Sequence, residues 1–135
     1  MANQPAAKKG DYITATDTHV VLVPSAGGMA PRSLPHPFKG ELVGELSSNV
    51  LIMGQPAAML GSVANNTPRH TPTPPGISFQ RPPTNQGVVT DGSKTVKING
   101  RPAARQGDVA NTCNDPVDRP VGKVVVNPGV TVFID

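Results

Sequence analysis

Apolar and polar residues alternate along this chain in short stretches, and each stretch ends in a break. In Thr95-Val96-Lys97-Ile98 every second position is apolar, and Asn99-Gly100 follows at once. A period of two belongs to a strand with one buried face, and Asn-Gly tolerates the positive φ of a tight turn. Pro102-Ala103-Ala104 returns from that turn, and Gly107-Asp108 breaks the chain again. Thr18 to Val23 reads as a further strand, followed by a turn at Pro24 to Gly28. Residues 29–40, with Pro31, Pro35 and Pro37, read as an extended loop, and Gly44 to Ile52 as a strand. Pro68 to Pro83 reads as a polyproline-like surface excursion, so that loop 68–86 is a decoration the fold does not need. Lys123 to Val126 is expected to turn through Asn127-Pro128-Gly129 into the last strand as a compact hairpin.

The strand–turn–return unit recurs. Ser47 to Thr67 aligns without a gap on Ser93 to Cys113, an offset of 46. Val50, Ile52, Gly54, Pro56, Ala57, Ala58, Gly61, Val63, Ala64 and Asn65 meet identical residues there. A third copy is split. Pro5-Ala6-Ala7-Lys8-Lys9-Gly10-Asp11 matches the return of the unit but lacks its strand, and Thr131 to Asp135 matches the strand but lacks its return. Copies at 47–67, 93–113 and 129–135 plus 5–11 therefore describe a pseudo-threefold arrangement opened at one junction. Its two ends should lie together, and closure would remove the free sheet edges of an all-β protein.

Composition narrows this to one all-β domain spanning 1–135, with Pro/Gly-rich loops and little helix. Sixteen prolines interrupt nearly every window long enough for a helix. The net charge of +3 is scattered, with no run beyond Lys8-Lys9 and no aromatic platform, which argues against nucleic-acid binding. A single cysteine excludes an internal disulfide. No apolar run has membrane-spanning length, and the N-terminus lacks the apolar segment of a signal peptide. The expectation is synthesis in the cytoplasm, export by some other machine, and no stable membrane insertion.

Candidate chemistry rests on His19, His36, His70 and Cys113, the whole histidine and cysteine content. His19 lies eight residues after Asp11, and His70 eight after Ser62, the matching position of the next copy. Cys113 lies five after Asp108 in the third, whereas His36 has no counterpart. Equivalent points on a threefold object converge on its axis, and imidazole with thiolate suits tetrahedral zinc. With Cys113 as fourth ligand the site is closed and structural; three histidines with an open position would instead make a zinc hydrolase. No Ser/His/Asp set, P-loop or dinucleotide fingerprint is present, and Asp11 and Asp108 read as turn caps.

Pro102-Ala103-Ala104-Arg105, with Pro56-Ala57-Ala58-Met59 and Pro5-Ala6-Ala7-Lys8, resembles the motif of the PAAR-repeat proteins, and the resemblance covers nearly the whole chain. It departs at Met59 and Ser62, where Arg and Asp are expected. The resemblance implies a small conical β-structure capping the trimeric VgrG-like spike of a contractile injection system, such as type VI secretion or a phage-tail-like particle. It implies a structural zinc, with iron as the other candidate, held by His19, His36, His70 and Cys113. It implies no enzymatic activity, one tip per trimer rather than a homo-oligomer, and release outside or into the target cell. Cargo effectors are a further candidate partner, carried on loop 68–86 if the protein is an adaptor. The short C-terminus favours a bare tip without a fused toxin. Val50, Val96 and Val132 are the expected apolar contacts to the spike.

Overall fold

The computed structural model describes residues 3–135. Its strands, in chain order, are β1 (Gln4–Pro5), β2 (Tyr12–Ser25), β3 (Gly28–Gly44), β4 (Leu51–Ile52), β5 (Gln55–Pro56), β6 (Val63–Asn66) and β7 (Ser78–Phe79). They continue as β8 (Gln86–Val89), β9 (Lys97–Ile98), β10 (Arg101–Pro102), β11 (Val109–Thr112), β12 (Arg119–Val125) and β13 (Phe133–Ile134). No helix occurs among the described residues, and the fold is all-β as the alternation predicts.

Six strands close on themselves. In the order β2-β3-β6-β8-β11-β12 each pairs with the next, and β12 returns to β2 through Lys123↔Thr14 and Val125↔Tyr12. The barrel is three antiparallel lobes, β2/β3, β6/β8 and β11/β12, so it has no edge to protect. Inward positions of the three lobes supply its core: Ile13, Phe38, Leu42, Val89, Ala110 and Val124. Strands this close leave little room, and glycine meets the need at Gly40. A Cβ there would stand 2.9 Å from the Phe38 ring and 3.0 Å from the backbone of Asn65.

The repeats build the end below the barrel. Hairpins β4/β5 and β9/β10 are two-residue turns with both central residues at positive φ (Met53 and Gly54, Asn99 and Gly100). The third equivalent is β13 paired with β1, Ile134 opposite Gln4, so the two ends of the chain meet where a turn stands in the other copies. The Pro-Ala-Ala returns then interlock. Ala58 N–H donates to Ala7 O (3.0 Å), Ala7 N–H to Ala104 O (3.0 Å) and Ala104 N–H to Ala58 O (3.1 Å), a closed ring of three bonds. A second ring links Lys9 N–H to Pro56 O, Leu60 N–H to Pro102 O and Gln106 N–H to Pro5 O. Backbone alternation sends Ala7, Ala58 and Ala104 into the barrel core. Ala6, Ala57 and Ala103 face a lower cluster with Ile52, Ile98 and Ile134. All six alanines are fully buried, which is why nothing larger occupies these positions.

After each return the chain turns on a side-chain cap. Asp11 Oδ2 accepts from Lys8 N–H (3.0 Å), Asp108 Oδ2 from Arg105 N–H (2.7 Å) and Ser62 Oγ from Met59 N–H (3.0 Å). Serine at 62 therefore keeps the bond that aspartate makes elsewhere. Only the ion pairs to Lys8 and Arg105 are lost with the Met59–Ser62 pair.

Four local expectations are corrected. Residues 29–40 are strand, not loop: β3 pairs with β2 along its whole length. Pro31, Pro35 and Pro37 share one parity, and bonds at that parity, such as Thr73 Oγ1–H to Pro35 O and Thr67 N–H to Lys39 O, point away from β2. The missing N–H groups therefore remove nothing from the β2 ladder. Gly44 to Ile52 is strand only at Gly44 and Leu51–Ile52, because Ser47 Oγ accepts from the Asn49 and Val50 amides and turns the chain. The last strand does not pair with β12. Asn127 is pinned to the first copy by Asp11 Oδ1 and Gly10 O, and β13 continues to β1. The fourth correction concerns segment 68–86 and belongs to the site.

Candidate metal centre

Strand alternation points Ile13, Asp17, His19 and Val21 of β2 into the interior, together with His36 and Phe38 of β3. Asp17 lies opposite His36, and His19 opposite Leu34. A polar layer thus sits inside the barrel on top of the apolar core. The second lobe brings His70, whose N–H donates to Asn85 Oδ1 (2.7 Å). Its Nδ1 lies 3.3 Å from Asn66 Nδ2, while Asn66 Oδ1 accepts from Lys39 N–H (2.9 Å). The third lobe brings Cys113, directly after β11. Thr18 N–H donates to Asn114 Oδ1 (2.7 Å), Asp115 N–H to Thr18 O (2.8 Å) and Val20 N–H to Asp115 Oδ2 (2.9 Å). These bonds stitch the Cys113 loop to β2.

Asp17, His19, His70 and Cys113 each offer a donor atom within 4.8 Å of the others, and the group can hold a metal ion. Asp17 Oδ2 stands 2.9 Å from His70 Nε2, 3.4 Å from Cys113 Sγ and 4.0 Å from His19 Nε2. Its Oδ1 faces the other way, accepting from the Thr112 hydroxyl and more distantly from Asn114 Nδ2. Both ring nitrogens of His19 are buried without a hydrogen bond; Nδ1 faces Asp115 Oδ2 at 3.4 Å, too poorly aligned to count as one. An unpartnered buried polar atom is unfavourable by about 1–3 kcal/mol, so native proteins rarely leave one. A cation beside Nε2 would be the missing partner, and a carboxylate, two imidazoles and a thiol are all donors that zinc accepts.

His36 is brought beside this group but not into it. Its ring centroid lies 5.4 Å from that of His19 and 5.6 Å from that of His70. Nδ1 meets Leu34 O at 2.9 Å and Nε2 accepts from Thr73 N–H at 3.1 Å, so both nitrogens are engaged. Asp17 is the residue the sequence reading missed. Its signal was parity: it lies two residues before His19, on the same face of the same strand.

Charge at the site follows from burial. Burial, reinforced by the Asp17 carboxylate, pushes the Cys113 thiol up to about 11. Burial also holds His19 and His36 below their usual 6.5, so both are neutral imidazoles. For Asp115 burial opposes ionisation, but the Val20 amide, Arg81 and His19 outweigh it and keep the carboxyl below its ordinary range.

Segment 68–86 is part of this site rather than a dispensable decoration. It carries His70, and Thr73 bonds His36. Phe79 pairs with Val21 and lays its ring 5.9 Å from His19 and 5.4 Å from His36, while Arg81 bonds Asp115 Oδ1 (2.6 Å) and Asn114 O (2.9 Å). A depression of about 470 Å³ lies between residues 81–84 and 113–118, with His19 and Cys113 in its lining. At the opposite end, Val50, Val96 and Val132 occupy equivalent places, their carbonyls accepting from Ala57, Ala103 and Ala6. Val50 is half-buried on the lower cluster. Val96 and Val132 are partly exposed, with Leu51, Met53 and Phe133 also exposed on the repeat hairpins.

Residues 80–135 match the family model described as the PAAR motif. None of the curated proteins matches the chain.

Proposed function

The chain is a PAAR-repeat protein, and from that premise we propose that it is a zinc-stabilised tip for the trimeric spike of a contractile injection system. The observation that carries this reading is the convergence of three lobes. They are locked below by closed hydrogen-bond rings, and each sends a donor, His19, His70 or Cys113, to one buried point. A tip that pierces an envelope must resist fraying, and a barrel without edges, clipped inside by a metal, answers that need. The apolar layer alone is small; a metal adds stability where few side chains fit.

The lower end suits a symmetric trimer. Two hairpins and the matching β13/β1 pair present Val50, Val96 and Val132 around one axis, with Leu51, Met53 and Phe133 exposed beside them. One chain then meets three identical subunits through three similar lobes. Synthesis in the cytoplasm and exit on the particle accompany this reading; among the described residues no helix is long and apolar enough to cross a membrane. The structure gives the hydrolase alternative no added support. The side chains of Asp17, His19 and His70 are at most 3% exposed and enclosed by Phe79 and the Cys113 loop.

Mixing purified protein with a trimeric spike of this kind tests the reading. One copy per trimer, abolished by Val96→Asp with Val132→Asp, is the expected result; three copies per trimer would overturn it. Zinc analysis of the purified chain should give one tightly held ion.

A further inference from the structure

We propose that the outer edge of β3 is a strand-addition site for a second copy of this chain, and that Pro31, Pro35 and Pro37 hold it shut.

The barrel has no edge, but β2 and β3 outrun it. β12 pairs with β2 only over Tyr12 to Thr14, and β6 meets β3 only from Gly40 onward, whereas β2 and β3 stay paired out to Ser25 and Gly28. The projecting part of this hairpin therefore has two edges of its own. It is also the part of the chain best suited to associate. No charged residue occurs from Thr18 to Pro31, and Val20-Val21-Leu22-Val23 is an apolar run of strand formers. Met29 is 46% exposed, and Ile77, whose N–H donates to Leu22 O, is 64% exposed.

The two edges are treated differently. Even positions of β2 point outward, and the chain itself meets them. Thr18 N–H and O are taken by Asn114 and Asp115, Val20 N–H and O by Asp115 and Gln80, and Leu22 O by Ile77. Odd positions of β3 point outward on the other side. Lys39 and Pro35 are met there by Asn66, Thr67 and Thr73. Among the described residues, no hydrogen bond reaches Met29, Pro31, Ser33 or Pro37 from that side. A ladder needs a donor at each outward position, about 6.8 Å apart, and from Met29 to Pro37 only Met29 and Ser33 carry one.

A second copy laid antiparallel on this edge shows what the prolines remove. With the twofold axis at Ser33, the two Ser33 residues exchange both of their bonds. Pro31 then faces Pro35 of the other copy, neither nitrogen can donate, and no bond forms in either direction. Met29 faces Pro37 and keeps one bond of its pair. The ladder is thus broken on both sides of its centre. Exposed edges are commonly guarded by charge, above all by lysine. Here the first charged residue after Asp17 is Arg32, and proline takes over that duty.

Sedimentation equilibrium of the full chain tests the proposal, with Pro31→Thr/Pro35→Thr as the main variant. Threonine suits an exposed strand position, keeps both carbonyls and restores the missing donors. Wild type should stay monomeric up to millimolar concentration. The double variant regains two bonds in each Pro31–Pro35 pair, so its dimerisation constant should rise at least about a hundredfold. Pro31→Thr alone regains one bond in each pair and should give a rise of about tenfold, so the test does not hang on the double variant folding. Adding Ser33→Lys to the double variant sets like charges opposite each other on the axis and should return it to a monomer. Variants that keep the wild-type circular dichroism, unfold cooperatively and still sediment as monomers overturn the proposal. So does a dimer that Ser33→Lys leaves unchanged, which would be joined elsewhere, or a wild type that dimerises as readily as the double variant.

Discussion

Ala104→Val probes the closure on which the fold depends. Ala104 is fully buried, and its amide and carbonyl both belong to the three-bond ring, at 3.1 Å to Ala58 and 3.0 Å to Ala7. Valine adds two methyl groups where Ala7, Ala58 and the barrel core already meet. The neighbours are backbone segments tied to one another, so they cannot move apart without lengthening ring bonds. Overpacking of this kind costs about 1–3 kcal/mol, and the higher strand preference of valine returns only a few tenths. For a domain of this size each kcal/mol moves Tm by about 3–5 °C, so Tm should fall by roughly 3–15 °C. Thermal unfolding followed by circular dichroism or calorimetry reads the shift, with Arg119→Ala, at an exposed strand position, as a control expected to stay within about 0.5 kcal/mol of wild type. Pseudo-threefold closure makes a sharper demand: Ala7→Val and Ala58→Val must lose similar amounts. If one of the three alanines accepts valine with a loss below about 0.5 kcal/mol while the others do not, the ring is not the constraint described here.

Other outcomes follow from the site and the junction. Chelation should lower the Tm of the wild-type chain but leave Cys113→Ser unmoved; with free zinc at a hundredfold over its Kd the difference corresponds to about 2.7 kcal/mol. Metal-free stability should decline as pH falls below about 6.5, because His19 and His36 are held neutral when folded and the unfolded chain takes up their protons first; acid titration of unfolding with and without metal checks this. Zinc affinity should rise about tenfold per pH unit for each proton displaced between pH 7 and 9, since the metal-free Cys113 thiol keeps its proton up to about 11; competition with a chelator of known affinity measures the slope. A circular permutant joining residue 135 to residue 3, with new ends between Ala26 and Gly27, should fold with stability within about 1–2 kcal/mol of the parent, because Gln4 already pairs with Ile134. Failure of that permutant to fold would show that the split copy is not a true third lobe.

Much of this molecule was legible before any coordinates. Alternation over Thr95–Ile98, the Asn99-Gly100 turn and the repeat offset identify strands, hairpins and the split third copy, because each depends on neighbours close in sequence. The equal spacing of His19 and His70 from their turn caps reflects a shared lobe geometry, and the two do meet. What was not legible depended on partners far along the chain. The prolines of β3 look like breakers until the direction of each missing N–H is known, and that direction exists only once β2 lies on one side. Segment 68–86 looks detachable because its composition is polar and Pro-rich, yet its contacts to His36, Asp115 and Val21 come from other lobes.

By itself, then, the sequence determined the repeat, the all-β character, the pairing of its two end segments and the histidines and cysteine of the candidate centre, all consequences of local pattern and internal symmetry. Tertiary structure decided what stands beside these residues: Asp17 offers an atom within 4.8 Å of those of His19, His70 and Cys113, while both nitrogens of His36 are hydrogen-bonded. Asp17 is one polar residue in a threonine-rich strand until β2, β11 and the His70 loop close around it. His36 has a free nitrogen on paper, but Thr73, 37 residues away, occupies it. Which polar atoms meet inside the barrel is settled only when every other donor in the fold has found its acceptor.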